Sequence, residues 1–126
     1  AAAAALRAAA NDADTLLLVT PEHNGTVPAS LKNAIDWLSR PPDEIARVFN
    51  ELPVALMGAS PGSYGTILSH VAWLPVLRTL GTEPWTGGRL QVARAKEVFD
   101  ADGRLVDEKI RERLEKFLAG FVEFTG

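Results

Sequence analysis

The sequence predicts an α/β fold, a parallel sheet covered by helices on both faces. Two observations point there. Residues Thr15 to Thr20 and Pro53 to Met57 are continuous apolar runs bounded by turn residues, whereas a half-exposed strand would alternate apolar and polar positions. Each run leads into a loop rich in Gly and Pro and then into a helical repeat. Alternation of strand and helix, with right-handed crossovers, builds a doubly wound parallel sheet.

The elements follow in order. Leu6 to Ala10 reads as the end of a helix, with Asn11 to Asp14 as its exit. The first strand then ends at Pro21. Pro28 suits the opening turn of the next helix, where its missing N–H costs nothing. Leu31, Ile35 and Leu38 repeat at helical spacing beside Trp37, and Pro41-Pro42 stops that helix. After the second strand, Ile67, Val71, Leu74 and Leu77 mark a longer helix that ends near Gly81. Pro75 lies inside it and is expected to kink it or remove one hydrogen bond. Thr82 to Trp85 and Leu90 to Ala93 are short strand pieces around a Gly87-Gly88 turn, and Asp102-Gly103 marks another turn. From Asp107 the chain is helical, with Ile110, Leu114, Phe117, Leu118, Phe121 and Val122 on one stripe.

At 126 residues the chain reads as one domain, residues 1–126, with enough apolar content for a packed core. Thirteen basic and 16 acidic residues, net charge -3, are spread along the chain. Nucleic-acid binding would need clustered Lys and Arg, so no nucleic-acid partner is expected. With no cysteine, disulfides, thiolate metal sites and a catalytic thiol are excluded, and with only two histidines, distant in sequence, no metal site is expected. No apolar run reaches the roughly 18–20 residues that cross a bilayer. The Ala-rich opening lacks the parts of a secretory signal, so a cytoplasmic protein without a membrane partner is expected.

Ligands of open parallel sheets bind beyond the carboxyl ends of the strands. Two loops leave such ends, Thr20 to Thr26 and Gly58 to Thr66. Their glycines allow close approach of main-chain N–H groups, and both loops enter helix N-termini that favour electron-rich atoms. A flat redox heterocycle with carbonyl oxygens and ring nitrogens on one edge needs such a wall. Tight connection is the simpler role for such turns, and spacing alone leaves both open. Gly58-Ala59-Ser60-Pro61-Gly62 also fits the hydrolase elbow G-x-S-x-G. Pro61 has no N–H for an oxyanion hole, and no acid lies between Ser60 and His70, so a hydrolase is rejected. His70 is expected on a helix surface or at a subunit contact; Trp37 and Trp73 are expected in the core or at subunit contacts.

Thr20-Pro21-Glu22-His23-Asn24-Gly25-Thr26-Val27-Pro28, followed by Leu31-Lys32-Asn33-Ala34-Ile35-Asp36-Trp37, resembles the TPEYNxxxPxxLKNAIDW signature of the NADPH-dependent FMN reductase family. Pro53-Val54-Ala55-Leu56-Met57-Gly58-Ala59-Ser60-Pro61-Gly62 is similar to that family's KPVAxxGASPG segment. The resemblance implies a flavodoxin-like fold and non-covalent FMN. It further implies hydride taken from NADH or NADPH and electrons passed to quinones, flavins or similar small acceptors by a homodimer or homotetramer. By position, Pro21, Glu22, His23, Asn24 and Gly25 would edge the isoalloxazine, and Ser60, Pro61, Gly62 and Tyr64 would lie against the same ring. No side chain is expected to act as an obligatory catalytic acid or base. The alternative with the same loops is a flavin-binding electron carrier without NAD(P)H turnover. His23 stands where the family has Tyr. The family's GSxRxxS-like phosphate loop has no match here, so the N-terminal strands and that loop are expected to be absent from these residues.

Overall fold

The computed structural model describes residues 1–126. Its elements are α1 (Ala2–Asn11), β1 (Leu16–Val19), α2 (Ala29–Leu38), a 3-10 turn (Pro42–Glu44) and α3 (Ile45–Phe49). They continue as β2 (Pro53–Ala59), α4 (Ile67–Leu80), β3 (Glu83–Pro84), β4 (Leu90–Val92), α5 (Ala95–Val98) and α6 (Glu108–Thr125). The α/β order holds, and every strand pairing is parallel.

β2 is the central strand. Along one edge it pairs with β1, with Leu16 opposite Val54 and Val19 opposite Met57. Along the other edge it meets β3 and then β4, which act as two pieces of one interrupted strand. The unbroken apolarity of β2 has a direct cause. Val54 and Ala55, adjacent and both 1% exposed, point to opposite faces and enter different cores. The first core gathers Leu18, Ile35, Leu38, Phe49, Val54, Trp73 and Leu77 from α2, α3, α4 and the sheet. The second gathers Ala55, Leu90, Val92, Val98, Phe117 and Phe121, most of it beneath α6.

The interruption between β3 and β4 houses Trp85, which packs edge-on against Phe117 at 5.2 Å between ring centres. A Cβ on Gly87, Gly88 or Gly120 would press within 3 Å of the indole, so three glycines make room for one large ring. The far end of α4 closes on Gly81 in the left-handed conformation, φ +78°. Pro75 lies in mid-helix, yet α4 continues to Leu80; proline removes one bond there without ending the helix. Asp107 caps α6, its side chain accepting from the Ile110 N–H.

Two short helices, α3 and α5, were not expected. Each is five residues or fewer, below the length at which a periodic stripe can be recognised. Thr15 and Thr20 fall outside β1, although the Thr20 N–H still donates to the Met57 carbonyl at 2.8 Å. Trp73 is fully buried, whereas Trp37 is exposed.

Candidate functional site

The two loops, Thr20 to Thr26 and Gly58 to Thr66, leave the carboxyl ends of adjacent parallel strands β1 and β2, and their stems meet. β1 delivers Thr20 beside β2's Gly58, where an added Cβ would collide with the Thr20 carbonyl oxygen and sit 2.6 Å from Thr66 Oγ1. Only glycine permits that approach. Beyond it, His23 and Thr26 exchange both backbone hydrogen bonds at 3.1 Å. Asn24 and Gly25 lie between them with φ of 51° and 75°. That is a two-residue turn with both central residues left-handed, which explains the Asn-Gly pair. The crown of this turn rests on α4: a Cβ on Gly25 would be 3.5 Å from Leu68 Cδ1.

The second loop is braced from below. Ser60 donates its backbone N–H to the Val92 carbonyl at 2.9 Å and its hydroxyl to the Gly65 carbonyl at 2.6 Å. Arg94 N–H reaches the Gly62 carbonyl at 2.9 Å. Gly65 has φ +64°, and its Cα side faces Gln91 so closely that a Cβ would lie 3.0 Å from the Gln91 carbonyl carbon. Pro61, Gly62, Ser63 and Tyr64 stay exposed, Tyr64 at 81%.

The donors left over define what the rim can hold. Glu22, Asn24 and Gly25 on the first loop, and Gly62, Ser63, Tyr64 and Gly65 on the second, donate their backbone N–H groups to no other group of the chain. Two sets of free amide donors, on loops whose stems touch at Thr20, Gly58 and Thr66, suit a ligand edged with acceptor atoms. Ser60 does not add its hydroxyl to this set, because Gly65 takes it. Nor does it meet His70, so the structure carries no Ser–His pair.

Beneath the rim lies a polar layer that the sequence did not announce. Thr20 Oγ1 lies 3.0 Å from Ser69 Oγ, accepts from Trp73 Nε1 at 3.0 Å and donates to the Pro21 carbonyl at 2.9 Å. Thr66 Oγ1 lies 2.9 Å from His70 Nε2, and Gln91 Nε2 lies 3.1 Å from His70 Nδ1. The Gln91 amide nitrogen only donates, so Nδ1 accepts and Nε2 carries the proton toward Thr66. His70 is buried within the chain, 8% exposed, so of the two positions expected of it the helix surface is ruled out. Burial pushes its imidazole below the ordinary value, with the Met57 carbonyl and the Glu22 charge opposing that in part. Thr20 ends an apolar run, and Ser69 and His70 lie side by side in a helical stretch, where their sequence neighbours do not mark them as buried partners of Thr20 and Gln91.

Glu22 and the other eight candidates do not share one orientation. The Glu22 carboxylate turns away from the free amides: its Oε2 accepts from Leu68 N at 2.9 Å and Ser69 N at 3.2 Å, in the first turn of α4. A groove of about 250 Å³ runs alongside, lined by Ile67, His70, Val71, Leu74, Trp85 and Gln91. None of the nine ring-loop candidates lines it, so the rim and the groove are separate features.

The parallel sheet with helices on both faces is an α/β domain of the flavodoxin-like class, and comparison with known proteins agrees. Residues 1–97 match the family model for NADPH-dependent FMN reductase, and the chain belongs to that family. It is 41% identical over 106 residues to an NAD(P)H-dependent FMN reductase of Pseudomonas aeruginosa, covering 84% of this chain and 56% of that protein. It is 36% identical over 115 residues to an NADPH:quinone oxidoreductase of Arabidopsis thaliana, covering 90% and 57% of the two chains. Among solved structures it is similar to FerB, a flavoenzyme NAD(P)H:(acceptor) oxidoreductase from Paracoccus denitrificans. The TM-score is 0.85 at 31% identity, covering 98% of this chain and 66% of FerB. The chain thus spans a little over half the length of the curated relatives it matches.

Proposed function

We propose that this chain forms the ring-binding part of an FMN-dependent oxidoreductase that takes hydride from NADPH or NADH and reduces quinones, flavins or similar small acceptors. The observation that carries the reading is the convergence of the two loops with their unpartnered amides at one rim of the sheet. When bound, FMN would supply the hydride-accepting ring. Glu22, Asn24 and Gly25 on one side and Gly62 to Gly65 on the other would hold its acceptor edge through backbone N–H groups. Pro21, His23, Pro61 and Tyr64 would flank the ring, and Ser60 would hold the second loop in shape through its bond to Gly65. Fixed dipoles of this kind favour charge gathered on a reduced ring without a titrating side chain. No catalytic acid or base is assigned.

The names of the relatives support the donor and acceptor classes. Their greater length supports a further segment that pairs with the free edge of β1 and holds the FMN phosphate, since β1 has a neighbour on one side only. We also place the protein in the cytoplasm and infer a homo-oligomer. Its support is the exposed apolar stripe Ile67, Leu68, Val71 and Leu74 on α4. No helix of the structure is long and apolar enough to cross a membrane.

The test is direct. Full-length protein, freed of flavin and given FMN, should bind it in a stoichiometric yellow complex and oxidise NADPH or NADH only when a quinone is supplied. Flavin binding without NAD(P)H oxidation would make it an electron carrier that needs a partner reductase. Failure to bind FMN would end the reading.

A further inference from the structure

We infer that Glu22 is a positioning residue that clamps the two ring loops together through the first turn of α4, rather than a residue whose carboxylate touches the ring. The inference rests on the flavin reading and assigns one of its residues a different task. The first turn of a helix leaves N–H groups without partners, and a side chain at the N-cap normally takes those two and three residues on. In α4 the N-cap is Thr66, a residue type suited to the job, yet its side chain makes no cap bond. Its backbone is not extended, at φ -115° and ψ 33°, and its hydroxyl faces His70 Nε2. The vacated donors, Leu68 N and Ser69 N, are taken instead by Glu22 Oε2, 46 and 47 residues earlier in the chain. A carboxylate is also the charge that a helix N-terminus favours.

The consequence is mechanical. Glu22 sits at the base of the Asn24-Gly25 turn, and Thr66 ends the second loop, so one carboxylate ties the stem of the first loop to the foot of the second. Gly25 against Leu68 and Thr20 against Ser69 are neighbouring points of the same seam. The free amides of Glu22, Asn24 and Gly25 therefore stand at a set distance from those of Gly62 to Gly65. A flat ligand gripped from both sides gains affinity from loops held in place before it arrives.

Two measurements on the full-length protein test this. In the flavin-free protein, Glu22→Ala should speed amide hydrogen exchange at Leu68 and Ser69. It should equally speed exchange at His23 and Thr26, whose bonds hold the first loop's turn. FMN affinity, followed by quenching of flavin fluorescence, should fall about tenfold, the scale of a lost helix cap. Glu22→Gln keeps an acceptor oxygen and loses the charge; it should restore slow exchange at all four amides and hold affinity within about threefold. If Glu22→Ala does not fold, Glu22→Asp, one methylene too short to reach, must show the same joint loosening. Exchange confined to Leu68 and Ser69, or a Gln variant as impaired as the Ala variant, overturns the clamp. If wild-type protein takes no FMN, the functional proposal fails, while the exchange data still decide whether Glu22 couples the loops.

Discussion

Gly58 shows how much one absent side chain can decide. It is the second-last residue of β2, where the carbonyl of Thr20, just past β1, and the Thr66 side chain approach the place of its missing Cβ. The colliding atom is backbone, so it cannot rotate away, and Gly58→Ala should cost about 2–3 kcal/mol, the upper part of the range of overpacking in a close-set interior. Gly103 makes the contrast. A Cβ there meets nothing within 4 Å, and only its φ of +78° resists substitution. Gly103→Ala should therefore cost about 1 kcal/mol, a backbone penalty alone. Urea midpoints for the two variants measure the difference; equal losses would mean that crowding at Gly58 is relieved by movement of β1.

Among the elements, α4 does the most to organise the site, because each of its turns is committed elsewhere. Leu68 and Ser69 are held by Glu22, His70 reaches Thr66 and Gln91, Trp73 donates to Thr20, and Leu77 lies in the first core. His70 gives this helix a pH dependence. Its folded pKa is lowered by burial from the ordinary 6.5, so below that value the unfolded chain binds a proton that the folded one resists. Stability from this group is complete above about pH 6.5 and is lost as pH falls from there through the lowered folded value. Thermal midpoints recorded from pH 8 to 5 should decline below about 6.5, and more shallowly in His70→Gln. Parallel curves for the two proteins would show that the decline arises elsewhere.

At the scale of the whole molecule, what stands out is apolar surface with no cover. Ile67, Val71 and Leu74 repeat along one face of α4, and Val71 is 58% exposed. Burying a valine side chain is worth roughly 1.5–3 kcal/mol, so a symmetric contact that buries each such residue twice is a strong driving force. If α4 joins copies as proposed, Val71→Lys should shift the sedimenting species to a lower mass while leaving the far-ultraviolet circular dichroism unchanged. An unaltered mass would move the contact to another face.

Much of this was readable from residue order. Continuous apolar runs exposed both long strands, because a sheet covered on two faces asks for apolar side chains on both. Asn24-Gly25 marked its turn, Gly81 the end of α4, and Asp107 the start of α6, since each reflects a backbone demand satisfied within a few residues. The loop motifs also carried the family. What the tertiary structure alone decided were the partnerships between distant residues: Glu22 capping α4, Thr20 under Ser69 and Trp73, and His70 drawn inside by Thr66 and Gln91. Apart from Thr66 and His70, four residues apart on α4 and its N-cap, these partners lie some 20 to 50 positions apart in the chain and leave no local pattern, because only the packing of the sheet and α4 brings the groups within reach.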